Sequence, residues 1–181
     1  MVISADTIKT LREMTSCGVI ECKKALEAAK GNFDQAKEIL RQRGLEIAAK
    51  KAGRVAKEGR VEVYIHPGSK LGVLVEINSE TDFVARSEDF CAFSKNVAMH
   101  IAACQPGYVR KEEIPADLLK AQLDQETFIK EKCLLPQPFV KDPTKTIQDC
   151  LNELVLKVGE NIAINRFVRY KVGESEQKTN L

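Results

Sequence analysis

Hydrophobic residues recur at helical spacing three times in the first fifty residues and at strand spacing after residue 60, dividing the chain into a helical beginning and a mixed remainder. Ile8, Leu11 and Met14 share one face behind Ser4, a ready N-cap, and this helix is predicted to end between Thr15 and Gly18. Val19, Cys22, Leu26 and Ala29 form a second stripe that Gly31 stops. Asn32, with Gln35 three places on, opens a third helix that buries Ala36, Ile39 and Leu40 and is expected to stop before Gly44. Helices this short are marginal alone, so the three must pack as one bundle. Val19 and Ile20 are adjacent, so both cannot point fully inward: one is half exposed, or the pair forms an apolar docking spot flanked by Arg12.

After the bundle the period changes. Val61, Val63 and Ile65 alternate with Glu62, Tyr64 and His66, and a turn at Pro67, Gly68 and Ser69 leads into a second alternation of Val73, Val75 and Ile77. These two runs predict an antiparallel hairpin, and Val168, Tyr170 and Val172 predict a third strand. Between them a strong helix starts after Ser87, with Phe90, Phe93, Val97, Ile101 and Cys104 on one face and Pro106 and Gly107 beyond it. A weaker polar helix is expected from Glu113 to Lys132, opened by Pro115. The last runs from Thr146 to Val158, with Ile147, Cys150, Leu151, Leu154 and Val158 inward, and stops at Gly159. The fold class is α+β: a three-helix docking domain over residues 1–53, then a core domain over 54–181 with a small three-stranded antiparallel sheet and helices on it.

Composition narrows the function classes. The chain has 181 residues, 44% hydrophobic and 30% charged, with a net charge of +2, enough for a real core and too little charge for whole-molecule nucleic-acid binding. The charge is uneven: Arg41, Arg43, Lys50, Lys51, Arg54, Lys57 and Arg60 face only Glu46 and Glu58 across one connector. The six cysteines (Cys17, Cys22, Cys91, Cys104, Cys133 and Cys150) contain no C-x-x-C pair, and the two histidines, His66 and His100, are far apart. No zinc or redox motif is spelled, and the cysteines read as reduced core residues of a cytoplasmic protein. No run has membrane-spanning length, the start lacks a signal-peptide core, and no phosphate loop or nucleophile–histidine set is present, so neither an enzyme nor a resident cofactor is expected.

Asn78 to Ser87 is the segment to which the strand pattern delivers the chain before the strong helix. Ser79 and Thr81 are both good N-caps, and Asp82 suits a first helical turn. Two placements are open for Phe83: folded inward to close the corner, or projecting as a ring beside a carboxylate. His100 lies close to the buried face of its helix, where a lone histidine is ordinarily a packed residue.

Family resemblance enters on specific residues. Leu11, Arg12, Thr15, Gly18, Cys22 to Leu26, Gly31 and Lys50 to Arg54 resemble the N-terminal domain of the bacterial elongation factor Ts family, a bundle of the ubiquitin-associated type. Leu71 to Asn78 with Glu80 to Arg86, Ala98 to Ala103 with Pro106, Gln137 to Val140, Gly159 to Ile162 and Arg166–Phe167 resemble further family signatures in order. Ser16 and Cys17 depart from the usual small residues, and Val19 and Ile20 replace paired methionines. Between Leu123 and Cys133 the chain is too short for the family's usual helical hairpin, and the second core subdomain of many relatives is missing.

The resemblance implies a guanine-nucleotide exchange factor for elongation factor Tu in its GDP-bound and nucleotide-free states. Arg12, Val19 and Ile20 would dock on the partner's nucleotide domain. Thr81, Asp82, Phe83 and Val84 would disturb its magnesium and phosphate site, and His100 would make a second contact. No metal of its own, nucleic acid or membrane is implied. A half-sized core with an open sheet is expected to form a homodimer. The other class left open is a ubiquitin-type or RNA-associated helical adaptor, resting on the bundle and the basic connector.

Overall fold

The computed structural model describes residues 3–15 and 17–174; Met1, Val2, Ser16 and the last seven positions, 175–181, lie outside the described residues. Helices α1 (Ala5–Thr15), α2 (Val19–Ala28) and α3 (Phe33–Lys51) make the predicted bundle. Their starts follow local chemistry: Ser4 Oγ accepts the Thr7 N–H at 3.1 Å, and Asn32 Oδ1 accepts that of Gln35 at 3.0 Å. Leu11, Cys22, Ala25, Leu26, Ala36 and Leu40 are buried between the three helices.

Helix α3 does not stop before Gly44; it runs on to Lys51. Gly44 is buried where α3 crosses the last long helix, and a Cβ there would sit 3.5 Å from the Asn152 carbonyl. Its role is close approach between two helices, so the usual stop signal is overridden by packing. Beyond the crossing, Ile47 and Ala48 pack on the second core, while Leu156 of the other helix packs on the first. The two clusters are thus bolted together by one helix pair.

Strands β1 (Glu58–Ile65), β2 (Leu71–Ser79) and β5 (Ala163–Lys171) form the three-stranded antiparallel sheet with β2 central. A short hairpin of β3 (Pro138–Phe139) and β4 (Asp142–Thr146), which the pattern did not announce, lies apart from it. Helix α4 (Asp82–Ala85) is a single turn, and α5 (Glu88–Cys104) covers one face of the sheet, with α8 (Ile147–Val158) packed against α5 and α3. The polar stretch after Pro115 breaks into α6 (Ala116–Lys120) and α7 (Gln125–Lys132), neither of which buries a residue. Thr146 and Asp149 cap α8 reciprocally, and Gly159, at φ 74°, ends it as expected.

The face of β1 is reversed from the simplest expectation. Register pairs Glu62 with Val75 and Tyr64 with Val73, and paired residues share a face. Since Val73, Val75 and Ile77 are taken by the core under α5, Glu62 and Tyr64 go inward with them. Val61, Val63 and Ile65 are left outside at 60%, 53% and 57% exposure. Buried Glu62 is compensated by Arg60, whose guanidinium lies 2.9 Å away. On α8 the buried face is also rotated: Asn152 and Val155 are enclosed, while Cys150 and Val158 are half-buried, because α8 serves both α3 and the sheet side.

Candidate functional site

The corner after β2 is built from hydroxyl side chains that occupy backbone groups. Ser79, fully buried, donates its hydroxyl to the Thr81 carbonyl at 2.8 Å. Thr81 Oγ1 accepts the Val84 N–H at 3.4 Å, making Thr81 the N-cap of α4. Ser87 closes the far side, donating to the Val84 carbonyl at 2.8 Å and accepting the Phe90 N–H at 3.3 Å. The single turn between them has two faces: Val84 and Ala85 are buried, so Asp82, Phe83 and Arg86 must point away.

Phe83 is therefore the outward ring, 82% exposed. Beside it the Asp82 carboxylate takes an ion pair from Arg86 one turn on, both side chains solvated. Such a pair contributes little to stability and can exchange for a partner's cation. Of the corner residues singled out above, Asp82 and Phe83 face solvent, Thr81 is exposed but spent on internal bonds, and Val84 is nearly enclosed.

Arg12 and Val19 of the bundle, expected above to dock, reach the same place. A shallow cleft is lined by Arg12, Val19, Phe83, Val84, Asp89 and Lys157, so the start of α2 and the corner share one surface. Lys157 and Asp89 close its floor with a 2.6 Å ion pair. Val19 is 52% exposed and Ile20 68%, so neither residue of that pair is a core residue. Residues far apart in sequence thus present a cation, an exposed aliphatic side chain and a ring on one cleft.

His100 is not on this surface. Its side chain is fully buried on α5. Nδ1 accepts the Val140 N–H at 3.2 Å, which leaves Nε2 as the protonated nitrogen, donating to Gln137 Oε1 at 2.9 Å. The ring ties α5 to the β3–β4 hairpin and offers no atom to a partner in the free chain. Burial holds its pKa below the ordinary 6.5, with the Gln137 contact opposing. A base depressed on folding is neutral in the native state while the unfolded chain takes up protons. Stability is thus complete above pH 6.5 and falls as the pH drops from there toward the folded-state pKa. Urea denaturation on both sides of that pH is expected to show the decline, and His100→Gln to flatten it; an unchanged slope in the variant would assign the decline elsewhere.

All six cysteines are free; Cys17, Cys22 and Cys133 are buried, Cys91 and Cys150 half-buried, and Cys104 exposed. Burial pushes the Cys133 and Cys150 thiols up to about 11, which suits packing more than reactivity. The basic connector is largely consumed inside the fold: Arg41 pairs with Glu38 and Asp149, Arg43 with Glu21, Arg54 with Glu80 and Arg60 with Glu62. Among the described residues no group of three or more His, Cys, Asp or Glu is placed to hold a metal, and no helix is long and apolar enough to cross a membrane.

Glu160, Glu80, Asn161 and Arg54 escaped the local reading, although all four touch or brace the corner. Thr81 donates both its N–H and its hydroxyl to Glu160, at 3.0 and 2.7 Å, across a sequence separation of 79. No periodicity pairs residues that far apart; the only signal was that Glu160 and Asn161 stand in a family-like stretch.

Comparison with known proteins places the chain in a family. The family model described as Elongation factor TS matches residues 5–126 and 123–174, dividing at the α6–α7 joint. The Elongation factor Ts of Acetivibrio thermocellus is 51% identical over 199 residues, covering 97% of this chain and 93% of that protein. That of Carboxydothermus hydrogenoformans is 47% identical, covering 97% and 92%. That of Caldanaerobacter subterraneus subsp. tengcongensis is 46% identical, covering 97% and 100%. Each aligned length exceeds the whole of this 181-residue chain, so these relatives carry residues that it lacks. With a family model matching nearly every described residue and relatives at about half identity end to end, the chain belongs to the elongation factor Ts family of translation elongation factors.

Proposed function

We propose that this protein is a cytoplasmic guanine-nucleotide exchange factor that binds elongation factor Tu and speeds its release of GDP. The observation that carries the reading is Phe83: a large apolar ring held almost entirely in water on a braced corner, beside a carboxylate and facing the same cleft as Arg12 and Val19. A single exposed ring is ordinary, but one that shares a cleft with exposed Val19 belongs to an apolar patch, and such patches mark contact surfaces.

Linkage states what each residue must supply. An exchange factor lowers nucleotide affinity only by binding the nucleotide-free partner more tightly than the nucleotide-bound one, by the same factor. Contacts made equally in both states shift nothing. Arg12, Val19 and Ile20 supply orientation and affinity, and Phe83 with Asp82 supplies the difference. A ring wedged beside the partner's magnesium displaces ligands and waters that must stay near-octahedral, so a small movement costs nucleotide binding. Val84 and Thr81 shape the corner from within, and buried His100 acts only through the packing of α5.

The experiment is the timed release of labelled GDP from elongation factor Tu with and without this chain: acceleration supports the proposal, and an unchanged rate removes it.

The outer sheet face supports the proposal's second element, a homodimer. Val61, Val63, Ile65, Leu74 and Tyr170 stand exposed on the side opposite α5, and no described element covers them. The Glu76–Arg166 pair on the same face is neutral, so two copies can meet there without repulsion. Light scattering is expected to give twice the 20.2 kDa chain mass. Leu74→Asp should return the monomer, and a monomeric wild type at working concentration would remove this element.

A further inference from the structure

Two carboxylates cross between the corner and the α8–β5 turn. Glu160 of the turn takes both donors of Thr81, while Glu80 of the corner accepts the Asn161 N–H at 2.6 Å. The end of α3 and the residues just after it complete the tie: Asn161 donates its side-chain amide to the Arg54 carbonyl at 2.7 Å, and Lys51 donates to the Gly159 carbonyl at 2.5 Å. Helix α3 belongs to the bundle that carries the docking residues, so bundle, turn and corner form one polar network.

That network matters because α4 cannot hold itself. A one-turn helix has no cooperative ladder, its cap bond from Val84 is long at 3.4 Å, and the Asp82–Arg86 pair is solvated. The two Glu160 bonds are both to a carboxylate, the stronger class of hydrogen bond, and they fix Thr81, two residues before Phe83.

We propose that Glu160 is a positioning residue for exchange: it clamps Thr81 and so holds the Asp82–Phe83 tip at a set position relative to the docking residues. The inference rests on the exchange reading above and deepens it. Docking energy gathered at Arg12, Val19 and Ile20 reaches the tip only through a stiff connection; a loose tip would have to be ordered during binding, and that entropy subtracts from the state-dependent contact. Glu160 therefore acts on release and hardly on docking.

The test has an arm without the partner. In the free chain, amide hydrogen exchange at Thr81 and Val84 should be slow in wild type and fast in Glu160→Ala, with Val75 and Ile77 unchanged. Unchanged protection at Thr81 overturns the clamp whatever the partner does. In the second arm, Glu160→Ala should slow GDP release by about threefold to tenfold at saturating concentration while its affinity for the GDP-bound partner holds. Glu160→Gln, which keeps one acceptor, should fall between it and wild type. In an Asp82→Ala/Phe83→Ala background the Glu160 change should add nothing, since it acts through the tip; the same slowing in both backgrounds, or none in either, overturns the proposal. If Phe83→Ala itself releases GDP at the wild-type rate, the exchange reading is what fails, and the amide arm still decides the clamp. Should Glu160→Ala not fold, Thr81→Val removes the hydroxyl half of the clamp and is read at the Thr81 amide alone, because it also removes the acceptor of the Val84 N–H.

Discussion

Phe83→Ala is expected to dock on elongation factor Tu almost as wild type does and to slow GDP release by about tenfold to about a hundredfold. The range follows from one ring. Burying a Phe side chain is worth about 1.5–3 kcal/mol, and each factor of ten corresponds to about 1.4 kcal/mol. Because the ring is 82% exposed in the free chain, nearly all of that burial is still available to the complex. If the contact forms only in the nucleotide-free state, its loss appears in release and not in docking. Asp82→Ala should act in the same direction but less, since its carboxylate already has Arg86 and must trade one partner for another. Saturating the variants separates the two roles: a docking defect is overcome by concentration, and a wedge defect is not.

Gly59→Ala is expected to destabilise the chain by about 2–4 kcal/mol, lowering the melting temperature by roughly 5–15 °C. Gly59 sits at φ 144° in the second rung of β1, opposite Asn78, a conformation side chains rarely adopt, and a Cβ there would lie 2.2 Å from the Ile77 carbonyl oxygen. That oxygen is backbone in the central strand and cannot swing aside, so β1 must pull away. The loss reaches the corner too, because Glu58 pairs with Ser79 and its carbonyl accepts the Asn78 side chain at 3.2 Å. Calorimetry on the variant checks this directly, and a shift of only a degree or two would mean that the β1 start yields without cost.

Much of this was legible because caps and periods are local. Ser4, Asn32, Ser87 and Thr146 each start a helix where the pattern places one, and Gly31 and Gly159 end theirs with positive φ. What the pattern could not carry is which partner claims a face. Val61, Val63 and Ile65 alternate as a core-facing strand should, yet register with β2 turns them to solvent, since the inward rung already belongs to Val73 and Val75. Gly44 looked like a stop because its use, contact with Asn152 across a helix crossing, depends on a residue more than a hundred positions away.

The site divides along the same line. Phe83 is exposed because Val84 and Ala85 take the inner face of a four-residue helix, a choice that only the packing of α4 against β1 and β2 makes. Resemblance pointed to His100 as a contact, whereas the fold encloses it between Gln137 and Val140. Thr81 was singled out for a partner, but its donors are spent on Glu160. Composition warned of none of these outcomes, because each is settled between segments and not within one.

The wedge can be watched at the ring itself. The chain contains no tryptophan, so Phe83→Trp carrying 5-fluorotryptophan gives a single fluorine resonance at the tip. In the free chain that resonance should show the full solvent isotope shift of a ring in water. With nucleotide-free elongation factor Tu it should move and lose the isotope shift, and excess GDP should restore it. A ring that stays solvated in the nucleotide-free complex, or is equally protected when GDP is bound, would contradict the account.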